Sequence, residues 1–243
     1  FNLQLLKIAN RLGIPTIYYF APQAWIWGKG RAQKLAKYCD LVLSVVPQEA
    51  EVYKKAGANV TFIGHPLVDL VEGDGEAFRK RWGLKGGEPI VALLPGSREQ
   101  ELQRLVPLFL NAANLIHAQL PKCFFVISAA QEAHKNWLCQ EAGKMPFSVE
   151  VVRERPYDLL AAANGALIAI GTAMLEAALL GTPMVGVYQA NPLTSFAAKF
   201  LVKTPYYSLP NLLLGKNLVP ELIQKQATPS TVAAKLEQHL TLP

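Results

Sequence analysis

Pro95-Gly96-Ser97-Arg98-Glu99 closes an apolar run, "IVALL", and opens a segment rich in Glu, Gln and Leu. A proline and a glycine make the turn. The serine supplies a hydroxyl and an amide, and the Arg98 guanidinium can grip a phosphate in bidentate fashion. A helix starting here would add unpaired N–H groups that favour an anion. The same residues also suit a tight turn in which Ser97 caps the helix and Arg98 is a surface arginine. A second loop of this kind, Ile170-Gly171-Thr172, follows the run "GALIA" and again leads into a helical pattern. Glu176 falls one turn beyond Thr172 on the same helix face. A carboxylate there can accept from the vicinal hydroxyls of a ribose, or serve as a half-buried cap. Two anion-suited loops and one ribose-suited carboxylate fit a nucleoside diphosphate better than any one of them alone.

Other residues invite weaker chemistry. "FIGHP" puts His65 at the end of a strand, where histidine is commonly structural, yet this position would face an interdomain cleft. Trp25 and Trp27 stand beside Lys29 and Arg31, a mixture suited to a bilayer interface, to base stacking or to plain interdomain packing. Phe196 and Phe200, with Lys199 and Lys203, give a basic amphipathic helix of the type that lies on a membrane surface. Asn211 and Glu221 are polar residues in an apolar, proline-punctuated stretch, suited to sugar contacts or to backbone capping. The four histidines and three cysteines show neither metal-ligand spacing nor a CxxC pair, so no metal site is expected and the thiols are expected to be reduced.

These residues need a scaffold. The chain of 243 residues is 51% hydrophobic and 17% charged, which excludes a disordered segment and leaves room for a sizeable core. Its net charge of +6 favours anionic partners without choosing among them. Short apolar runs alternate with amphipathic segments, the pattern of an α/β protein with parallel sheets. Residues 1–70 read as the end of one such unit. Residues 71–89, rich in glycine and charge, read as a linker. Residues 90–190 read as a Rossmann-like unit, and 191–243 as a C-terminal segment of basic amphipathic helix and site loops. The run 166–187 is long enough to span a bilayer, but Glu176 and Pro183 interrupt it, and a strand–helix–strand reading accounts for its Gly-Thr breaks. No signal peptide pattern is visible.

"APQAWIW", "FIGHPLVD", "LLPGSREQE", "GTAMLEAALLGTPMVGVY" and "LVKTPYYSLPNLL…VPELIQ", in this order, resemble the lipid-A-disaccharide synthases over nearly the whole chain. The resemblance implies a GT-B-like fold of two Rossmann-like domains, the first incomplete. It implies an inverting glycosyltransferase that moves 2,3-diacylglucosamine from UDP-2,3-diacylglucosamine to the 6-hydroxyl of 2,3-diacylglucosamine 1-phosphate. The implied products are the β-1,6 disaccharide of lipid A and UDP. No cofactor or metal is implied. Gly96, Ser97, Arg98, Gly171 and Thr172 would then hold the diphosphate, and Glu176 the ribose. Asn211 and Glu221 match polar positions of the family's site region and, with His65, are expected to bind substrate or UDP. Trp25, Trp27, Phe196, Lys199, Phe200 and Lys203 would face the cytoplasmic side of the inner membrane, where the enzyme sits peripherally. A homodimer is left open, and no nucleic acid is expected.

Two departures bear on activity. The family usually has serine where this chain has Ile170, which removes a hydroxyl. Its Asp-x-Pro-x-Phe-Asn segment is met only as Phe1-Asn2, so the aspartate implied as catalytic base would lie upstream of Phe1. The chain is therefore expected to be a fragment lacking N-terminal strands and the extreme C-terminus, with weak turnover or none. Rival readings are another UDP-GlcNAc-using GT-B enzyme or epimerase, which would not need the last quoted segment, and a nucleic-acid-binding module, which the scattered basic residues do not favour.

Overall fold

A computed structural model describes residues 2–24, 30–84, 86–153, 155–190 and 205–240. The described residues divide into two compact units, a smaller one ending at Leu70 and a larger one beginning at Val71.

The smaller unit alternates helices and strands: α1 (Asn2–Arg11), β1 (Ile17–Tyr19), α2 (Gly30–Tyr38), β2 (Leu41–Ser44), α3 (Pro47–Lys55), β3 (Val60–Phe62) and α4 (Leu67–Leu70). Its three strands are parallel in the order β1-β2-β3, with Ile17 opposite Leu41 and Val42 opposite Val60. The crossovers through α2 and α3 are what a parallel pair requires. Leu6, Leu35, Val42 and Tyr53 are buried between the helices and one face of the sheet. Asp40 fastens β1 to the turn before β2, accepting from the Thr16 amide at 2.7 Å and its hydroxyl at 2.9 Å.

The larger unit holds α5 (Gly75–Arg81), β4 (Ile90–Leu94), α6 (Glu99–Gln119), β5 (Phe124–Ser128), α7 (Glu132–Ala142), β6 (Val149–Val152), α8 (Tyr157–Ala162), β7 (Gly165–Ala169), α9 (Ala173–Leu179) and β8 (Met184–Tyr188). It ends with α10 (Leu209–Leu214), β9 (Glu221–Ile223) and α11 (Pro229–Leu240). All six strands are parallel, in the order β6-β5-β4-β7-β8-β9. The period-two geometry of a strand sends alternate side chains to opposite faces. Along β4, Val91 and Leu93 join one core with Leu105, Phe109, Ile116 and Leu236, while Ile90, Ala92 and Leu94 join the other with Phe78, Leu159 and Met174. Both faces are covered by helices, which is why these strands read as continuous apolar runs.

Two expected boundaries change. Residues 71–89 are not a free linker but part of the larger unit. Helix α5 lies so close on α8 that a Cβ on Gly75 would come within 2.8 Å of the Ala161 carbonyl, and the Arg79 guanidinium bonds the carbonyl of Ala162 at 3.1 Å. Residues after 205 are not a separate segment either. Strand β9 extends the sheet beside β8, with Gly186 opposite Glu221, and the buried Val232, Ala233 and Leu236 of α11 pack into the same core as α6.

Candidate functional site

The chain runs from β4 outward through β5 to β6, then returns past β4 to lay down β7, β8 and β9 on the other side. The loops after β4 and β7 therefore diverge, leaving the crevice at which open α/β sheets bind ligands. A cavity of about 630 Å³ occupies this position. Its walls come from four successive strand ends: Leu94, Gly96, Ser97 and Arg98 after β4, Ser128 to Ala130 after β5, Arg153, Arg155 and Pro156 after β6, and Ala169 to Ala173 after β7. Glu101 of α6 and Glu176 of α9 complete it.

Gly96, Ser97, Arg98, Gly171, Thr172 and Glu176, singled out from sequence, thus line one cavity. Arg98 is the N-cap residue of α6 but makes no capping bond, so Ser97 is not the cap. The Arg98 side chain is 82% exposed and pairs through Nη1 with Glu101 Oε1 at 2.8 Å. The Ser97 carbonyl accepts from Gln131 Nε2 at 3.1 Å, which ties the β4 loop to the β5 loop. Gly96 has φ +102, in the region open mainly to glycine. A Cβ there would lie 2.6 Å from Glu101 Oε2, so the group that closes on this backbone is a carboxylate of the protein itself. Across the cavity, burial pushes the Glu176 carboxyl above its ordinary pKa, partly offset by the Tyr157 hydroxyl, which donates to Oε1 at 3.5 Å. Ile170, in place of the family's serine, packs its side chain with the apolar cluster around Met174.

Sequence reasoning passed over Arg153, Arg155, Ser128 and Glu101. The two arginines follow β6 and bring further positive charge to the cavity, Arg153 with its Nε 2.9 Å from Glu132 Oε2. The readable signal was "RER" directly after a strand, the same context that drew attention to Arg98.

Asn211 and Glu221 are not among the cavity's lining residues. Asn211 is wholly buried. Its Oδ1 accepts from the amides of Leu218 and Val219 at 2.9 Å, and its Nδ2 donates to the Val219 carbonyl and to Glu221 Oε1 at 2.8 Å. Glu221 in turn accepts from the amides of Tyr207 and Ser208 at 2.9 Å and from the Ser208 hydroxyl at 2.6 Å. In this structure their side chains serve as an internal clasp between the start of α10 and β9. His65 belongs to the smaller unit. Its Nδ1 accepts from the Leu67 amide at 3.2 Å, its ring stands edge-on to Phe20 at 5.5 Å, and burial pulls its pKa below the ordinary histidine value. Trp25, Trp27, Phe196, Lys199, Phe200 and Lys203 lie outside the described residues. Among the described residues, no helix is long and apolar enough to cross a membrane, and no cluster of metal-ligand residues occurs.

Comparison with known proteins agrees with this architecture. The family model for lipid-A-disaccharide synthetase matches residues 1–241. The lipid-A-disaccharide synthase of Azotobacter vinelandii is 43% identical, over 97% of this chain and 63% of its own length. That of Persephonella marina is 39% identical, over 96% of this chain and 64% of its own length. The chain thus spans somewhat less than two thirds of these relatives. Among solved structures, a trehalose-6-phosphate synthase from Burkholderia multivorans aligns with a TM-score of 0.58 at 14% identity, covering 99% of this chain and 62% of that one. A UDP-GlcNAc 2-epimerase from Neisseria meningitidis, bound to UDP-GlcNAc, aligns at 0.56 and 10% identity, covering 98% and 72%. At such identities the likeness speaks for the fold, which is the GT-B one. A match along almost all of the sequence, with relatives near 40% identity, settles the kinship: this chain belongs to the lipid-A-disaccharide synthetase family.

Proposed function

We propose that this chain carries the donor side of an inverting glycosyltransferase that uses UDP-2,3-diacylglucosamine. The sugar would pass to the 6-hydroxyl of 2,3-diacylglucosamine 1-phosphate, giving the β-1,6-linked lipid A disaccharide 1-phosphate and UDP. The observation that carries this reading is the cavity at the switch point, whose lining brings Arg98, Arg153 and Arg155 together with Glu176. Departure of UDP places charge on the diphosphate. Donors fixed in advance around the spot where charge develops lower that barrier without reorganising. Arg98 and the amides of Ser97 and Thr172 are the groups proposed for this task. Glu176, when ionised, would accept both ribose hydroxyls and so fix the nucleoside end. Asn211 and Glu221 would contribute indirectly, by holding α10 and β9 in place. The positive charge of the chain supports work at an anionic surface, where both acylated sugars reside; we place the enzyme peripherally on the cytoplasmic face of the inner membrane.

Calorimetric titration of the chain with UDP tests the site. A Kd on the order of micromolar is expected for a nucleotide held by several charge-assisted contacts. Arg98→Ala and Glu176→Ala should each weaken it roughly 10- to 100-fold, the loss of a hydrogen bond to a charged group. Folded protein that gives no heat with UDP, or that binds it equally well in both variants, would overturn the assignment.

A further inference from the structure

Glu101 is an odd residue to find in an anion site. It lies in the first turn of α6, lines the cavity, and takes Arg98 as its partner at 2.8 Å. Its second oxygen would lie only 2.6 Å from a Cβ at residue 96, so it rests against the backbone of the phosphate-suited turn. Its side chain is 22% exposed against 82% for Arg98. A surface pair formed only to steady the first turn of a helix needs neither that lodgement nor that cavity. The cavity therefore already pairs one carboxylate with its exposed Arg98.

We propose that Glu101 is an exchangeable counter-ion for Arg98, a positioning residue that holds the guanidinium at the mouth of the site and yields it to an incoming diphosphate. The inference rests on the nucleotide reading above. A diphosphate offers Arg98 more charge and a better bidentate geometry than one carboxylate, so exchange favours it over singly charged anions. When the nucleoside diphosphate departs, Glu101 retakes Arg98. The same carboxylate thus limits how tightly the product is retained. Exchange is inexpensive because a partly exposed pair contributes little by itself.

The test measures the affinities of the parent chain and of Glu101→Gln for UDP and for inorganic pyrophosphate, each also in an Arg98→Ala background. Glutamine keeps the shape over Gly96 and removes the charge. The expected result is roughly three- to tenfold tighter binding of both anions by Glu101→Gln, from the Coulombic competition removed at the edge of the site. That gain should vanish when Arg98 is absent, which a purely structural role for Glu101 would not produce. Unchanged or weaker binding in Glu101→Gln, with UDP still bound by the parent, overturns the counter-ion and leaves the nucleotide site intact. Tighter pyrophosphate binding in a protein that ignores UDP supports the counter-ion and overturns the nucleotide reading. If neither anion binds the parent or Glu101→Gln, both fall.

Discussion

The two units use the same plan, parallel strands joined by helices, and carry it to different degrees. In the larger unit, all five residues of β4 are buried, and so are four of five in β5, β7 and β8. In the smaller unit, β1 shows Ile17 and Tyr19 to solvent at 66% and 48%, β3 shows Phe62, α1 shows Leu5 and Ile8, and the turn after α1 shows Leu12. Parallel sheets are ordinarily covered on both faces. The larger unit meets that condition on both faces, whereas among the described residues of the smaller one these apolar side chains stand exposed. Stability and site precision should accordingly be concentrated in the larger unit, whose six-stranded sheet fixes every loop that lines the cavity.

The largest expected effect comes from testing this contrast directly. Phe125, on β5, has no exposure and packs against His117 and Phe147. Phe125→Ala should cost about 3–5 kcal/mol in urea unfolding, the usual range for emptying an aromatic core position. Phe62→Ala, at a residue 51% exposed, should fall within about 0.5 kcal/mol of the parent. A Phe62 loss comparable to that at Phe125 would mean that this face of the smaller unit is covered in solution, and the contrast would fail.

What the sequence disclosed follows the same division. The runs 90–94, 123–128, 165–170 and 183–188 are legible because strands buried on both faces are apolar throughout, and each forms the strand expected. The loops after two of them could be read as anion-suited because the carboxyl ends of all strands in a parallel sheet, each leading to a helix N-terminus, lie along one edge. The nucleotide assignment itself gained its force from resemblance. Strand β9 was illegible: three residues beginning with a glutamate have no periodicity, and only pairing with β8 makes them a strand. Residues 71–89 misled by composition, since the glycines that suggested a linker are what allow α5 to press onto α8. Glu101 and Arg153 were invisible for a simpler reason. Charged residues near strand ends are common, and only their place in the cavity lining distinguishes these from other surface charge.

Asn211 and Glu221 were conspicuous in sequence, yet composition could not say which way they point. A smaller effect settles that. Asn211→Ala removes five hydrogen bonds and strands the buried amide and carbonyl of Val219 and the half-buried Glu221 carboxylate. A loss of about 2–3 kcal/mol is expected, set by the cost of stranded polar groups rather than by bond strength. UDP affinity of the folded variant should stay within a factor of about two, because the clasp lies outside the cavity. A drop in affinity without a drop in stability would make Asn211 a ligand contact.

The smallest expected effect compares one glutamate from each unit. Glu49, at the start of α3, accepts from the Ser44 hydroxyl at 2.8 Å, and burial raises its carboxyl pKa, as burial raises that of Glu176. Between the ordinary glutamate value of 4.5 and the raised folded value, the native state holds more protons than the unfolded chain. Stability must then fall as pH rises through this window, and the penalty persists above it. Replacing either residue with glutamine removes that slope, so each variant should gain stability relative to the parent at pH 8 and lose the gain toward pH 4.5. His65, whose lowered pKa gives the opposite slope, cancels when variant and parent are compared at each pH. The two variants should part company with UDP. Ribose hydroxyls would bond the ionised Glu176, so parent affinity should weaken as pH falls through its raised pKa. Glu176→Gln should lose roughly tenfold or more at pH 8, a hydrogen bond to a charged group, while Glu49→Gln binds as the parent does. Thermal unfolding and calorimetry across this pH range read both quantities. A Glu176→Gln variant that is stabler and still binds UDP at full strength would reduce Glu176 to a buried carboxylate like Glu49. A variant that is stabler but binds poorly would show that burial of Glu176 is maintained for the ligand, at the expense of the fold.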